Sequence, residues 1–197
     1  MEPLSLKLLG RPEVSCGGQL LRFHFRKEQA LLFYLATEGG LHPREKLAAL
    51  LWPEGREESS RASLRNALYG LRKTLKESTG HEHLRAERDS AAVGLDLESG
   101  VELDLSLLKA ASDATRLPAE ARDGEIRRLL EDLRTAAATY SGEFLEGLFL
   151  DDAPDFEYWV TLERERWLRH AEVVFNRLSG LELRAGEVGA AVATAER

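Results

Sequence analysis

Residues 59–77 read SSRASLRNALYGLRKTLKE, and this stretch has the spacing of a helix with two different faces. At about 100° per residue, Leu64, Leu68, Leu71 and Leu75 form one narrow apolar stripe that must be buried against neighbouring elements. The adjoining arc carries Arg61, Arg65, Asn66, Tyr69, Arg72, Lys73 and Lys76. No acid of the quoted stretch lies on that arc, although solvated helices usually mix charges through i, i+4 pairs.

The side chains of this basic arc match the chemistry of duplex DNA. Arginine can donate two hydrogen bonds to guanine, and asparagine can pair in the same way with adenine. Arginine and lysine also bind phosphates and release counterions. The alternative interpretation is a solvated helix face that is basic without any partner.

The elements that precede this helix can be predicted from glycines, prolines and apolar spacing. Apolar runs on either side of Gly17 and Gly18 predict a β-hairpin near the N-terminus. A buried helix is expected from Arg26 to the Gly39–Gly40 pair, and a second helix between Pro43 and Pro53. Ser59 or Ser60 is expected to cap the third helix, which should end near Glu77.

A second hairpin is expected after the third helix. The segment LRAERDSAAVGLDL, residues 84–97, reads as two short strands around RDSA, with Arg85 and Arg88 near the turn. Three helices followed by a hairpin predict a winged helix-turn-helix, in which the third helix enters the major groove. Residues 1–100 are therefore predicted to form an α+β winged helix domain with an N-terminal antiparallel sheet.

From about Leu103 onward the chain is helical by period and composition, and strand signals are absent. We predict an all-α domain over residues 101–197 that ends in an antiparallel helical repeat. Because no capping element follows the last helix, we expect either a longer array or a frayed end.

Charge is divided unevenly along the chain, which has 197 residues and a formal net charge of −7. Residues 1–78 contain 13 basic and 9 acidic side chains, whereas residues 79–197 contain 14 basic and 25 acidic ones. This asymmetry favours two modules with different partners. The absence of a long apolar run or a secretion signal, together with the single Cys16, predicts a cytoplasmic protein without membrane contact.

Other clusters of reactive side chains give no sign of a catalytic site, a metal site or a cofactor. His81 and His83 lack the further ligands that zinc requires. Asp151, Asp152 and Asp155 lie beside a proline before a helix, where they can interact with the helix dipole. The sequence contains no phosphate-binding loop of the GxxxxGK[ST] type. We expect a protein that is not an enzyme.

The basic helix allows a hypothesis about individual DNA contacts. Residues near its N-terminal end are expected to reach base edges, and those near its C-terminal end to contact phosphates. Arg88 in the hairpin could reach the minor groove or a phosphate. The base-edge candidates are Ser60, Arg61 and Arg65, followed by Asn66 and Tyr69, and the phosphate candidates are Arg72, Lys73 and Lys76.

Three segments together resemble bacterial activators of the SARP type. They are FRKEQALLFYLATEGGLHPREKLAALLWPEG, SRASLRNALYGLRKTL and YSGEFLEGLFLDDAPDFEYWVTLERERW, and the resemblance covers nearly the whole chain. It implies an OmpR/PhoB-type winged helix joined to an all-helical bacterial transcriptional activator domain similar to tetratricopeptide repeats. It further implies activation of transcription, contact of residues 52–59 with RNA polymerase, and two copies on directly repeated DNA sites, with a possible homodimer there.

Two other functions stay open at this stage. The chain could be a protein-interaction scaffold whose helical domain binds a partner and whose winged helix has lost specific DNA binding. A hydrolase that uses the acidic cluster is a weaker alternative, because the sequence offers no nucleophile–base pair for it.

Overall fold

The computed structural model describes residues 2–85, 91–114 and 123–197, and it is an α+β structure with a small N-terminal sheet and a mostly helical remainder. Strands β1 (Leu4–Lys7), β2 (Glu13–Cys16) and β3 (Gln19–Leu20) form consecutive antiparallel pairs. Gly17 and Gly18 both have positive φ angles, which glycine adopts without strain. The predicted N-terminal hairpin is therefore confirmed.

The N-terminal sheet contains one strand that the sequence did not indicate. Strand β7 (Val101–Leu103) pairs in parallel with β1, so the sheet order is β3-β2-β1-β7 and the predicted purely antiparallel sheet is wrong. A parallel partner needs a long crossover, which local periodicity cannot reveal. The division at residue 100 stays a prediction, and it places β7 apart from its pairing partner.

The helices α1 (Arg26–Glu38), α2 (Arg44–Leu51) and α3 (Glu57–Thr79) lie between β3 and β7 along the chain. The apolar stripe of α3 is buried as predicted. The predicted serine cap is wrong, because α3 begins at Glu57 and no side chain caps it. Ser60 lies within the helix instead.

A second, three-stranded sheet combines two strands that follow α3 with one short strand between α1 and α2. Strand β4 (His42–Pro43) pairs with β6 (Ala92–Leu95), which pairs in turn with β5 (Leu84–Arg85). The predicted hairpin strands are therefore present, and the turn between them lies outside the described residues. Gly94 is required here, since a Cβ atom at this position would lie 2.0 Å from the Gly40 carbonyl oxygen.

The helical part is built around its longest helix, α6 (Pro154–Arg184), which contacts each of the other helices in this part. Its buried side chains are continuous with the core of the N-terminal part. Within the described residues, no helix is both long and apolar enough to cross a membrane. The four helices are α4 (Asp104–Asp113), α5 (Asp123–Thr139), α6 (Pro154–Arg184) and α7 (Val188–Ala195).

Specific contacts through Asp104 and Trp159 help to join the helical part to the N-terminal part. The carboxylate of Asp104, the first residue of α4, accepts hydrogen bonds from the backbone N–H groups of Leu8 and Leu9, at 2.7 and 2.9 Å. Trp159 of α6 packs against Tyr34 of α1 and donates a hydrogen bond to Glu38. Specific side chains therefore hold α4 against the segment after β1 and α6 against α1.

The buried imidazole of His83 makes stability depend on pH. Its Nε2 lies 3.0 Å from Thr79 Oγ1, whereas its Nδ1 has no hydrogen-bond partner among the described residues. Burial, reinforced by His81, lowers the pKa of His83 below its ordinary value of 6.5, while Asp96 and Glu82 oppose this shift. The unfolded chain therefore takes up a proton first as the pH falls.

We expect stability to decline as the pH drops below 6.5 toward the lower pKa of folded His83. Urea unfolding between about pH 7.5 and about pH 5 would measure this loss in the free energy of unfolding. The variant His83→Leu cannot titrate and should lose less stability over the same range. Equal losses in both proteins would contradict the assignment to His83.

Candidate nucleic-acid interface

The face of α3 opposite its apolar stripe is exposed and carries most of the predicted DNA contacts. Arg61, Arg65, Asn66, Lys73 and Lys76 are exposed. Tyr69, in the middle of the helix, is 69% exposed, which is unusual for a large aromatic side chain. Arg72 is half-buried. The sequence therefore placed these side chains on the correct side of the helix.

Three of the five cations on this face are held by acids that the helical pattern did not place on the arc. Arg61 contacts Glu45 of α2 at 2.7 Å and Glu57 in the first turn of α3 at 2.6 Å. Arg72 contacts Glu82 at 2.9 Å, and Lys73 lies 3.9 Å from Glu77. The expected unmixed basic arc is therefore partly neutralised, because tertiary folding brings Glu45 and Glu82 to it.

Arg65 and Lys76 form no ion pair with any residue in the part of the chain that the structure describes. They lie three turns apart on the exposed face, with Asn66 and Tyr69 between them. Their guanidinium and ammonium groups are therefore available to an anionic partner. This pair of cations and the two polar side chains between them form the core of the candidate interface.

Ser60 and Arg88 differ from the other predicted DNA-binding residues, because neither is seen on the exposed face of α3. Ser60 is only 6% exposed, and its hydroxyl donates a hydrogen bond of 2.7 Å to the Trp52 carbonyl oxygen. This hydrogen bond ties α3 to the end of α2, and the role of Ser60 at a base edge stays a prediction. Arg88 lies outside the described residues. Its neighbour Arg85 is bound to Asp96 and Glu98.

A groove of about 670 Å³ lies beside α3, between the start of α1 and the segment that precedes α6. Asn66 lines it, together with the exposed aromatic rings of Phe25 and Phe149. Lys27 crosses the groove to Asp152, with 2.7 Å between the charged atoms. Sequence reasoning missed both phenylalanines, because exposed and buried aromatic residues look alike in a sequence.

Comparison with known proteins bears on the fold. No family model matches the chain, and no curated protein gives a significant match. A solved structure of Mycobacterium tuberculosis EmbR, in complex with a low-affinity phosphopeptide, aligns over 100% of this chain with a TM-score of 0.74. The fold is similar to that of EmbR.

Sequence identity to EmbR is 20%, so the likeness concerns the fold alone. This chain covers 50% of the EmbR chain, and the phosphopeptide belongs to the EmbR complex. The alignment spans the N-terminal sheet of this chain, its three helices and the helical remainder.

Proposed function

We propose that this protein is a sequence-specific, double-stranded DNA-binding transcriptional regulator of the SARP type and not an enzyme. In this proposal α1, α2, α3 and the β5–β6 hairpin act as an OmpR/PhoB-like winged helix. The helical remainder is a TPR-like bacterial transcriptional activator domain. The observation that carries the proposal is the exposed face of α3, where Arg65 and Lys76 lack acidic partners among the described residues.

Exposure on α3 supports a proposal for the DNA contact of each residue. Arg65 and Asn66 are the best candidates for base edges, because both are exposed and have the donor patterns that read guanine and adenine. Tyr69 can pack on sugar or a thymine methyl group. Lys76 is the strongest phosphate candidate, and Lys73 and Arg72 can join it when they leave their carboxylate partners.

The remaining parts of the proposal concern protein partners and location. The link of residues 52–56 between α2 and α3 is largely exposed, which supports its proposed contact with RNA polymerase. Activation, cytoplasmic location and pairing of two copies on direct DNA repeats follow from the family resemblance. The EmbR-like fold supports a transcriptional regulator of the SARP type as the leading proposal.

Fluorescence anisotropy with a random-sequence duplex, titrated with salt, tests the proposal. If about five phosphates are neutralised, log K should fall against log salt with a slope of about −4.5. The double variant R65A/K76A should bind at least about tenfold more weakly, with a slope about 1.8 units shallower. A sequence selection with the same protein would then identify the operator.

A matched control removes two positive charges from the helical part instead of from α3. Arg127 and Arg128 are exposed on α5, and R127A/R128A should leave the slope unchanged. Binding that is absent at low salt would reject DNA binding and favour the interaction scaffold. An equal loss in both double variants would mean that overall charge, not the face of α3, attracts the DNA.

A further inference from the structure

Arg61 is the one cation of the described α3 face that contacts two carboxylates. Its Nη2 atom lies 2.7 Å from Glu45 Oε1 and 2.6 Å from Glu57 Oε1. Glu45 comes from α2 and Glu57 from the turn below Arg61 on α3, so the guanidinium is held from two elements. The three side chains together carry a charge of −1, which repels phosphate.

The atom that both carboxylates contact is the one that a paired contact with DNA would need. A guanidinium has two edges that present two donors, one formed by Nε and Nη2 and the other by Nη1 and Nη2. Both edges include Nη2, which donates a hydrogen bond to Glu45 and lies against Glu57 Oε1 in an ion pair. Arg61 therefore cannot make a bidentate contact with guanine or phosphate until a carboxylate leaves.

We propose that Glu45 and Glu57 withhold Arg61 from the DNA backbone in non-specific complexes. Arg61 then contacts DNA only where that contact is strong enough to replace its ion pairs with Glu45 and Glu57. Specificity is a difference between affinities, so weakening the non-specific complex raises it. This inference rests on the proposed DNA-binding function and assigns the two glutamates a role in discrimination.

The neighbouring residues of α3 provide the comparison that the inference needs. Arg65, one turn further along, forms no ion pair with a described residue and is available to any phosphate. Glu58 is exposed beside Glu57 but contacts no cation among the described residues. Removal of the Glu58 charge therefore changes the electrostatic field near the DNA without releasing an arginine.

The test compares the double variant E45Q/E57Q with E58Q by anisotropy on a random-sequence duplex, titrated with salt. In E45Q/E57Q the released Arg61 should neutralise about one further phosphate. The slope of log K against log salt should therefore steepen by about 0.9, and the affinity for DNA should rise about fivefold. The single variant E58Q should raise affinity less and leave the slope unchanged. Addition of R61Q to E45Q/E57Q should abolish the gain, because the gain depends on the released arginine.

The outcomes separate this inference from the proposed function. A gain that persists in the R61Q background would overturn the withholding role, because general repulsion by the glutamates would then explain it. A second outcome would also overturn the withholding role. In it the unaltered protein binds DNA with the expected steep slope of log K against log salt, and E45Q/E57Q has the same slope. A chain that binds no DNA in any variant rejects both the inference and the proposed function.

Discussion

Replacement of Asp104 by alanine should lower the free energy of unfolding by about 3–5 kcal/mol, because buried donors would lose their acceptor. Asp104 is only 9% exposed, and its carboxylate accepts hydrogen bonds from the backbone of Leu8 and Leu9, close after β1. It also accepts one from Leu105 at 2.8 Å. Each buried N–H left without a partner costs about 1–3 kcal/mol. Urea unfolding followed by circular dichroism would measure the loss.

The variant Asp104→Asn is the matched control, since it keeps one acceptor oxygen and the side-chain volume. We expect it to lose about half as much stability as the alanine variant, because its amide nitrogen faces a donor. A loss below about 1 kcal/mol for alanine would mean that water replaces the carboxylate. That result would remove Asp104 as a structural link between the two parts of the chain.

The pH dependence gives a second readout for Asp104. Burial raises the pKa of its carboxyl group above the ordinary value of 3.8, although the N–H groups of Leu9 and Leu8 oppose this effect. A raised pKa in the folded state means that this group adds stability below pH 3.8, which is lost as the pH rises through the folded value. The advantage of the unaltered protein over Asp104→Asn should therefore grow as the solution is acidified.

Replacement of Trp159 by alanine should cost about 2–4 kcal/mol and loosen α6 from α1. The indole lies 4.9 Å from the ring of Tyr34, with centroid distances of 5.3 Å to Phe156 and 5.8 Å to Phe144. Its Nε1–H also donates a hydrogen bond of 2.8 Å to Glu38. Trp159 is half-buried, so the expected loss lies below that of a fully buried tryptophan.

Two further variants make the Trp159 result specific. Trp159→Phe keeps an aromatic ring and removes the hydrogen bond, so it should cost about 1 kcal/mol. The adjacent Tyr158 is 67% exposed, and its change to alanine should stay within about 0.5 kcal/mol. Similar losses for Tyr158→Ala and Trp159→Ala would show that the aromatic cluster does not hold the helix. Limited proteolysis would show whether α6 separates from α1.

The order of elements could be predicted because local signals agree with the fold. The Gly17–Gly18 turn, the Gly39–Gly40 stop and the leucine stripe of α3 each depend on neighbouring residues alone. Strand β7 was missed because its partner β1 lies almost a hundred positions earlier. A three-residue strand has too little periodicity to be recognised, and the backbone partner that stabilises it is distant in sequence.

In the candidate interface, too, some features depend on neighbouring residues and others on residues that are distant in sequence. The exposure of Arg65, Asn66 and Tyr69 follows from the helical period, once the leucines are buried. The state of Ser60 depends on the Trp52 carbonyl oxygen, which only the turn between α2 and α3 brings within hydrogen-bond distance. No pattern within α3 could have placed the hydroxyl of Ser60 there.

By itself, the sequence determined the α+β order of elements, the helical remainder and which face of α3 is basic, since these depend on contacts within one or two turns of chain. Tertiary structure decided which of those cations are paired with acids among the described residues. Glu45 reaches Arg61 and Glu82 reaches Arg72 only because α2 and the segment after α3 fold against the helix. Charge interactions act through space over a few ångströms, whereas the sequence records only separation along the chain.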